Sequence, residues 1–327
     1  MRTELQNRCD LFMQNREVVH KTYSWDDSRL TTMAANIATG SGRLLDADML
    51  KESEKVLKKS TGIFSEFRNN LKTMMIVKMA LSTNPQIYFD GVQKVYEMLN
   101  RKRLFGSEER VLAAVSIYEN SEETGAEGVV EKAYQIYDDM KKNHPFLTSD
   151  EDMPMAALLA LCDRSVAELT GEVERCYEAV KKSAWNSNAV QTLSHVMALD
   201  PQPTDVKVDK IEAIYHGLLA RDKKYSGRYE LAALGTLPML DMDPKRIVDD
   251  ISEVDDWLKI QKGFGGLFGA GKAERMMYAS LLVADTYMPE VDAQSVVRGG
   301  TLSAVVAQQV AFMVIIASTA ASSAASN

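Results

Sequence analysis

Residues 91–99 read GVQKVYEML. Val92, Val95, Tyr96 and Leu99 fall at i, i+3, i+4 and i+7, one face of a helix, with polar residues filling the other. The pattern returns in VEKAYQIYDDM (130–140), GEVERCYEAV (171–180), DKIEAIYHGLL (209–219) and IVDDISEVDDWL (247–258). Each run carries an aromatic residue in register: Tyr96, Tyr137, Tyr177, Tyr215 and then Trp257, separated by 41, 40, 38 and 42 residues.

A second kind of run alternates with the first. It comprises TMMIVKMALS (73–82), VLAAVSIYEN (111–120), MAALLALCD (155–163), TLSHVMALD (192–200), LAALGTLPMLD (231–241) and MMYASLLVAD (276–285). These runs are apolar almost all round, which predicts helices buried on several sides. Four close on an aspartate, at Asp163, Asp200, Asp241 and Asp285, spaced by 37, 41 and 44 residues. Two markers, one in each half of the unit, thus keep nearly one period. An earlier unit fits at Leu30–Thr39 and Met49–Leu57, and the linkers after the second halves carry Phe64, Phe105, Phe146, Trp185 and Tyr225.

Local signals agree. Ser107 precedes Glu108 and Glu109, and Ser149 precedes Asp150, Glu151 and Asp152, as suits the positive end of a helix. Asp243-Pro244 reads as an N-cap and then the first helical position. A single hairpin of this length cannot bury its own apolar face, so neighbours must stack. The expected fold is all-α: an α-solenoid of about six helical hairpins with a period near 40 residues, or the same hairpins closed into an α/α toroid. No run of useful length has a strand pattern. The hairpins account for residues 1–300. Residues 301–327 form a separate segment with no charged residue, whose apolar part, Leu302 to Ala317, reads as a terminal helix ahead of an Ala/Ser-rich tail.

Composition bounds the function. The chain has 327 residues, 46% hydrophobic and 26% charged, with a net charge of −8. It shows no long basic run or stripe of the kind a phosphate backbone requires, which argues against nucleic acid as a partner. Three cysteines, Cys9, Cys162 and Cys176, are too few and odd in number for a disulfide framework. Together with an N-terminus lacking an apolar run behind a basic start, they point to the cytoplasm.

One stretch imitates a nucleotide site. GFGGLFGAGKA (263–273) holds Gly266-x-x-x-x-Gly271-Lys272, the skeleton of a phosphate-binding loop. Such a loop needs a strand before it and a Ser/Thr after the lysine. Here SEVDDWLKIQK precedes it as an amphipathic helix, and Ala273 takes the hydroxyl position. The stretch reads instead as a linker with Phe264, Leu267 and Phe268 tucked against the helices. No cofactor is implied. The four histidines form no metal motif, and no nucleophile–base–orienter set assembles, so catalytic residues stay unassigned.

Each remaining feature has a structural reading beside a functional one. The tyrosine column reads as packing between hairpins, with hydroxyls at the rim, or as a ligand-facing ladder. The aspartate column reads as turn caps or as an acidic stripe. Polar residues interrupt the apolar first helices at Asn36, Lys78, Ser194, His195, Thr236 and Ser280. His195, Thr236 and Ser280 each fall five residues before their aspartate. They read as satisfied core groups or, with Asn36 and Lys78, as candidate ligand-facing residues.

TGIFSEFR (61–68), HPFLTSDED (144–152), SNAVQTLSHVMALD (187–200), GRYELAALG (227–235) and QKGFGGLFGAGKAERMMYASLLVAD (261–285) resemble a known bacterial family. It is domain-of-unknown-function family four thousand and three, found largely in Firmicutes. The resemblance implies a bacterial cytoplasmic setting and brings no activity, cofactor or site residue. The expected function is a non-enzymatic scaffold for a protein or peptide. The alternatives are a toroid enzyme or small-molecule binder with its cavity lined by the first-helix polar residues, and a membrane-associated or self-assembling homo-oligomer working through residues 301–317.

Overall fold

The computed structural model describes residues 1–288, apart from 25, 102, 122–124, 182–184, 229 and 266–269. Among them every regular element is helical. The predicted helices appear with small shifts at their ends. The buried first helices are α2 (Ser28–Gly40), α4 (Lys72–Leu81), α6 (Glu108–Asn120), α8 (Met153–Ala160), α10 (Ser187–Leu199), α12 (Leu231–Leu234) and α14 (Lys272–Tyr287). The amphipathic second helices are α3 (Ala47–Ser60), α5 (Pro85–Asn100), α7 (Ala126–Asn143), α9 (Val166–Val180), α11 (Thr204–Leu219) and α13 (Pro244–Lys259). Contrary to the expected pairing, these second helices pack mainly on the first helix that follows them, α3 on α4, α5 on α6, α7 on α8 and α9 on α10, rather than on the first helix of their own predicted hairpin. A further helix, α1 (Thr3–Thr22), precedes the array; its apolar face is Leu5, Cys9, Phe12 and Val19, all fully buried.

The caps are those the residues predict. The Ser107 hydroxyl accepts from the Arg110 N–H at 3.2 Å. Ser149 forms a reciprocal capping box with Asp152 at the start of a short 3₁₀ turn. Asp243 caps α13 with Pro244 in the first turn. One first helix departs from expectation. LAALGTLPMLD does not run on as one helix: α12 stops after Leu234, and a 3₁₀ turn takes over at Leu237–Met239. Pro238 has no N–H to continue an α-helical ladder. Gly235 supplies close approach, since a Cβ there would lie 2.9 Å from Val196 Cγ1.

The described residues form two compact units. One is Asp10–Leu161; the other joins Met1–Cys9 to the described residues from Cys162 onward. Within the first, α3 packs on α5 and α5 on α7; within the second, α9 packs on α11 and α11 on α13. Successive second helices thus lie side by side, with the apolar first helices behind them. In α8 every residue from Met153 to Ala160 is buried.

A buried helix leaves its last carbonyls away from water, where each needs a donor. At the end of α10 a cation supplies it. The Lys207 ammonium of α11 is buried and donates to the carbonyls of Met197 and Asp200 at the end of α10, both at 3.0 Å. It also donates to Glu172 Oε1 of α9 at 2.6 Å. Arg175 Nη2 and the Thr204 hydroxyl complete the carboxylate's shell at 2.6 and 2.8 Å. Burial alone would raise the pKa of Glu172, but donation from Lys207, Arg175 and Thr204 outweighs it and holds the carboxyl at about 2. Comparable pins recur: Lys78 with Glu119 at 2.8 Å, Arg110 with Asp150 at 3.0 Å, and Arg275 and Lys223 both with Asp255 at 2.7 Å.

Two substitutions test this packing. Glu172→Gln leaves the Lys207 charge buried and poorly paired, and should destabilise the protein by about 3 kcal/mol in denaturant titration. The contribution of Glu172 is complete above the ordinary glutamate range and is lost as pH falls toward about 2. The wild-type advantage over the variant should therefore shrink on acidification. Gly91→Ala should also destabilise, by roughly 1–3 kcal/mol, although alanine is the better helix former. A Cβ at Gly91 would stand 2.1 Å from the Tyr118 ring.

Candidate functional sites

The five interior polar residues divide between the units. Asn36 and Lys78 lie in the first, and His195, Thr236 and Ser280 in the second. All five are buried. Lys78 spends its charge on Glu119, which also accepts from the Tyr88 hydroxyl at 2.7 Å. The Thr236 hydroxyl donates back to the Ala233 carbonyl at 2.8 Å. The Ser280 hydroxyl bonds to the Met276 carbonyl at 2.9 Å and to the Tyr225 hydroxyl. The Asn36 amide has no hydrogen-bond partner among the described residues. His195 lies fully inside α10 packing. The structure therefore places all five as interior groups, two in one unit and three in the other.

The aspartate column also separates. Asp200 caps its turn, accepting from Gln202 N at 3.0 Å and Gln202 Nε2 at 3.1 Å. Asp163 and Asp241 are exposed just past their helices. Asp285 corrects the expectation that each aspartate ends its helix: α14 continues to Tyr287 and Asp285 is buried within it. Burial raises its pKa to about 7 despite attraction to Arg8, and its Oδ2 has no partner among the described residues.

The glycine-rich stretch behaves as a connection between α13 and α14. Phe264 is buried edge-on against Tyr278, with ring centroids 5.8 Å apart. Leu267 and Phe268 lie outside the described residues. Lys272 opens α14 and pairs with Asp222 at 3.1 Å on the surface. The element before the stretch is helical.

The tyrosine column keeps one setting. Tyr96, Tyr137, Tyr177, Tyr215 and Trp257 all sit at the edge of the buried stripe of their helices, part-buried or just covered. Their neighbours differ. Tyr96 meets the Phe67 ring edge-on at 5.0 Å, the Arg103 guanidinium stands 5.9 Å from the Tyr137 ring, and Trp185 covers Tyr215 at 5.1 Å.

Two surface features were not foreseen. The first is a groove of about 460 Å³ beside α5, lined by Ile87, Val95 and Met98 of that helix together with Tyr118 of α6, Ser121, and Ala126 of α7. Asp90 and Lys94 line it with opposite charges, and Ile87 is 65% exposed. The second concerns the linker aromatics. In the second unit they turn in: Trp185 is part-buried, Tyr225 buried. In the first unit they turn out: Phe64, Phe105 and Phe146 are 94%, 82% and 99% exposed, with Ile63 and Leu104 at 76% and 94%.

Among the described residues no His, Cys, Asp or Glu group is arranged to hold a metal ion. None of their helices is long and apolar enough to cross a membrane. The segment 301–317 lies outside the described residues.

A chain whose described residues form helices alone, tied by buried polar pins, defines a class and no activity. Comparison with known proteins narrows it to a family. The profile of a family described as a protein of unknown function, DUF4003, matches residues 15–311, and the chain belongs to it. It is also similar to an uncharacterised protein, YeaA, of Bacillus subtilis (strain 168), at 26% identity over 154 residues. That stretch covers 46% of this chain and 46% of the relative, so less than half of either is matched. No solved structure matches.

Asp285 yields a pH prediction. Its folded pKa lies above the ordinary aspartate value, so its cost is absent in acid and grows as pH rises from about 4 to about 7. Asp285→Asn should be the more stable protein above pH about 7, by a few kcal/mol at most, and should flatten that part of the stability–pH curve. Asp152, which burial also raises to about 7, leaves a residual slope. Urea midpoints measured across the range would reveal it.

Proposed function

We propose that this protein is a non-enzymatic helical-repeat scaffold that binds a segment of another protein in the groove on α5. The observation that carries the reading is the exposed Ile87 beside an apolar lining of Val95, Met98 and Tyr118. A large aliphatic side chain left in water beside an unfilled apolar channel is characteristic of a contact site. Asp90 and Lys94 offer one charge of each sign along one face of a helix, which gives a bound segment both orientation and register. Side-by-side second helices within each unit support the α-solenoid form of the repeat, whose surfaces commonly serve binding. Three cysteines that form no disulfide, two of them buried, are compatible with a reducing cytoplasmic setting. The enzyme alternative draws less support, because Thr236 and Ser280 spend their hydroxyls on carbonyls of their own helical turns.

The test begins with photo-crosslinking from position 87 in the native host, then purification of the captured protein and titration against it. Ile87→Asp and Met98→Asp should each weaken binding about tenfold or more, while Val206→Asp, on exposed α11 surface, should leave it unchanged. Equal binding by all the variants, or no crosslink from position 87, would refute the groove.

A further inference from the structure

The exposed linker residues of the first unit form a repeating row. Phe64, Phe105 and Phe146 are spaced by 41 and 41 residues, and each comes just after the end of a second helix: α3, α5 and α7. Those helices lie side by side, so their loops emerge along one edge. Contacts between the loops fix the edge. Glu66, just past the first loop, lies against Gly106 of the second, where a Cβ would come within 2.9 Å of Glu66 Cγ. The buried Arg110 guanidinium donates to the Phe105 carbonyl and to Asp150 Oδ2 at 3.0 Å, joining the second loop to the third. Asn70 N donates to Glu108 Oε1 at 3.0 Å, a further tie between the first two.

The charge of these segments differs from that of the chain. Residues 55–65, 98–107 and 140–149 contain Lys55, Lys58, Lys59, Arg101, Lys102, Arg103, Lys141 and Lys142, and the acids Glu66, Glu108, Glu109, Asp150 and Glu151 follow directly after them, within a protein of net charge −8. Lysines at helix C-termini are ordinary complements to the helix dipole. That accounts for the cations and leaves the apolar tips unexplained. Some of these cations hold acids: Lys58 with Glu54 and Lys142 with Asp139, both at 2.8 Å, and Arg101 with Glu127. Those acids belong to α3 and α7.

We propose that this edge docks on an anionic lipid surface, with Ile63, Phe64, Leu104, Phe105 and Phe146 entering the interface and the basic residues behind them meeting the headgroups. Charge complementarity and the form of the tips select this occupant. Rings exposed to 94% and 99% touch almost nothing of their own protein, so they make no flat patch for a protein partner to cover. A bilayer interface accepts separate apolar tips and adds attraction for every cation within a Debye length. Single-stranded nucleic acid would engage the basic residues and the rings, but the aliphatic Ile63 and Leu104 cannot stack on bases. The proposal involves the loops of one unit only and is independent of the groove on α5.

The full-length protein is tested by flotation with vesicles of equal parts phosphatidylglycerol and phosphatidylcholine, and with phosphatidylcholine alone. The wild type should float with the anionic vesicles, and progressively less as salt is raised. Phe64→Ser, Phe105→Ser and Phe146→Ser combined should weaken binding by about a thousandfold, since each ring withdrawn from the interface is worth about tenfold. The same three positions changed to Leu should retain binding. Because all three rings are exposed, the helical circular dichroism and melting of every variant should match the wild type. Four outcomes would overturn the proposal: no flotation of the wild type; undiminished flotation of the serine variant; equal binding to the neutral vesicles; or displacement from the vesicles by single-stranded RNA at concentrations that leave the serine variant unbound.

Discussion

The fold depends on how the buried first helices end. Their runs are apolar enough to be covered on all sides, and a covered helix must still satisfy its last carbonyls. At the ends of α4 and α10 a cation from a nearby segment supplies a donor. Lys207 serves α10 in this way, with Glu172 placed to balance it. Arg43 reaches the Leu81 carbonyl at the end of α4, and Arg164 reaches those of Ala198 and Leu199. Each of these cations ties a hairpin to its neighbour as well as closing a helix. The same group therefore solves a local problem and ties one helix to another. An ammonium buried without these acceptors would cost more than the apolar packing around it returns.

That constraint also explains why polar residues sit within otherwise apolar helices. Lys78 crosses to Glu119, 41 residues on and so one repeat away. Ser280 meets Tyr225, the linker aromatic of an earlier hairpin. Thr236 turns back on its own backbone. From sequence, an interior polar residue suggests a ligand, because a chemical use for it is easier to imagine than a structural one. In three dimensions Lys78 and Ser280 join elements, while Thr236 is spent on its own turn and the Asn36 amide has no partner among the described residues. Asp285 is a further such group, an acid held by burial near neutrality with one oxygen unpartnered among the described residues.

Much of the architecture was legible because it is periodic. The 3.6-residue pattern marked the second helices, the apolar runs marked the first, and Ser107, Ser149 and Asp243 marked their starts. What was not legible depends on which neighbour a side chain meets. Glu172 and Lys207 stand 35 residues apart, on helices whose polar faces read as solvated. Helix α1 carries its four buried residues in a polar run that lacks the repeat's markers. Asp285 matched the turn-capping aspartates by position, but no glycine or proline comes soon enough after it to stop α14 there. The basic stripe escaped notice because it is split into three short pieces. Only the side-by-side packing of α3, α5 and α7 assembles them.

The linker aromatics show how one repeat position acquires two uses. Where the loop aromatic can lie over the tyrosine of the second helix, as Trp185 does over Tyr215, it becomes part of the core. In the first unit that place is already taken. Phe67 covers Tyr96, and Arg103 stands over Tyr134 and Tyr137. Phe64, Phe105 and Phe146 stand exposed instead. Three large rings retained in water at equal spacing bring no stability to the folded chain and carry a risk of aggregation. Their presence calls for a benefit outside the fold, and the cations gathered behind them indicate the charge of whatever supplies it.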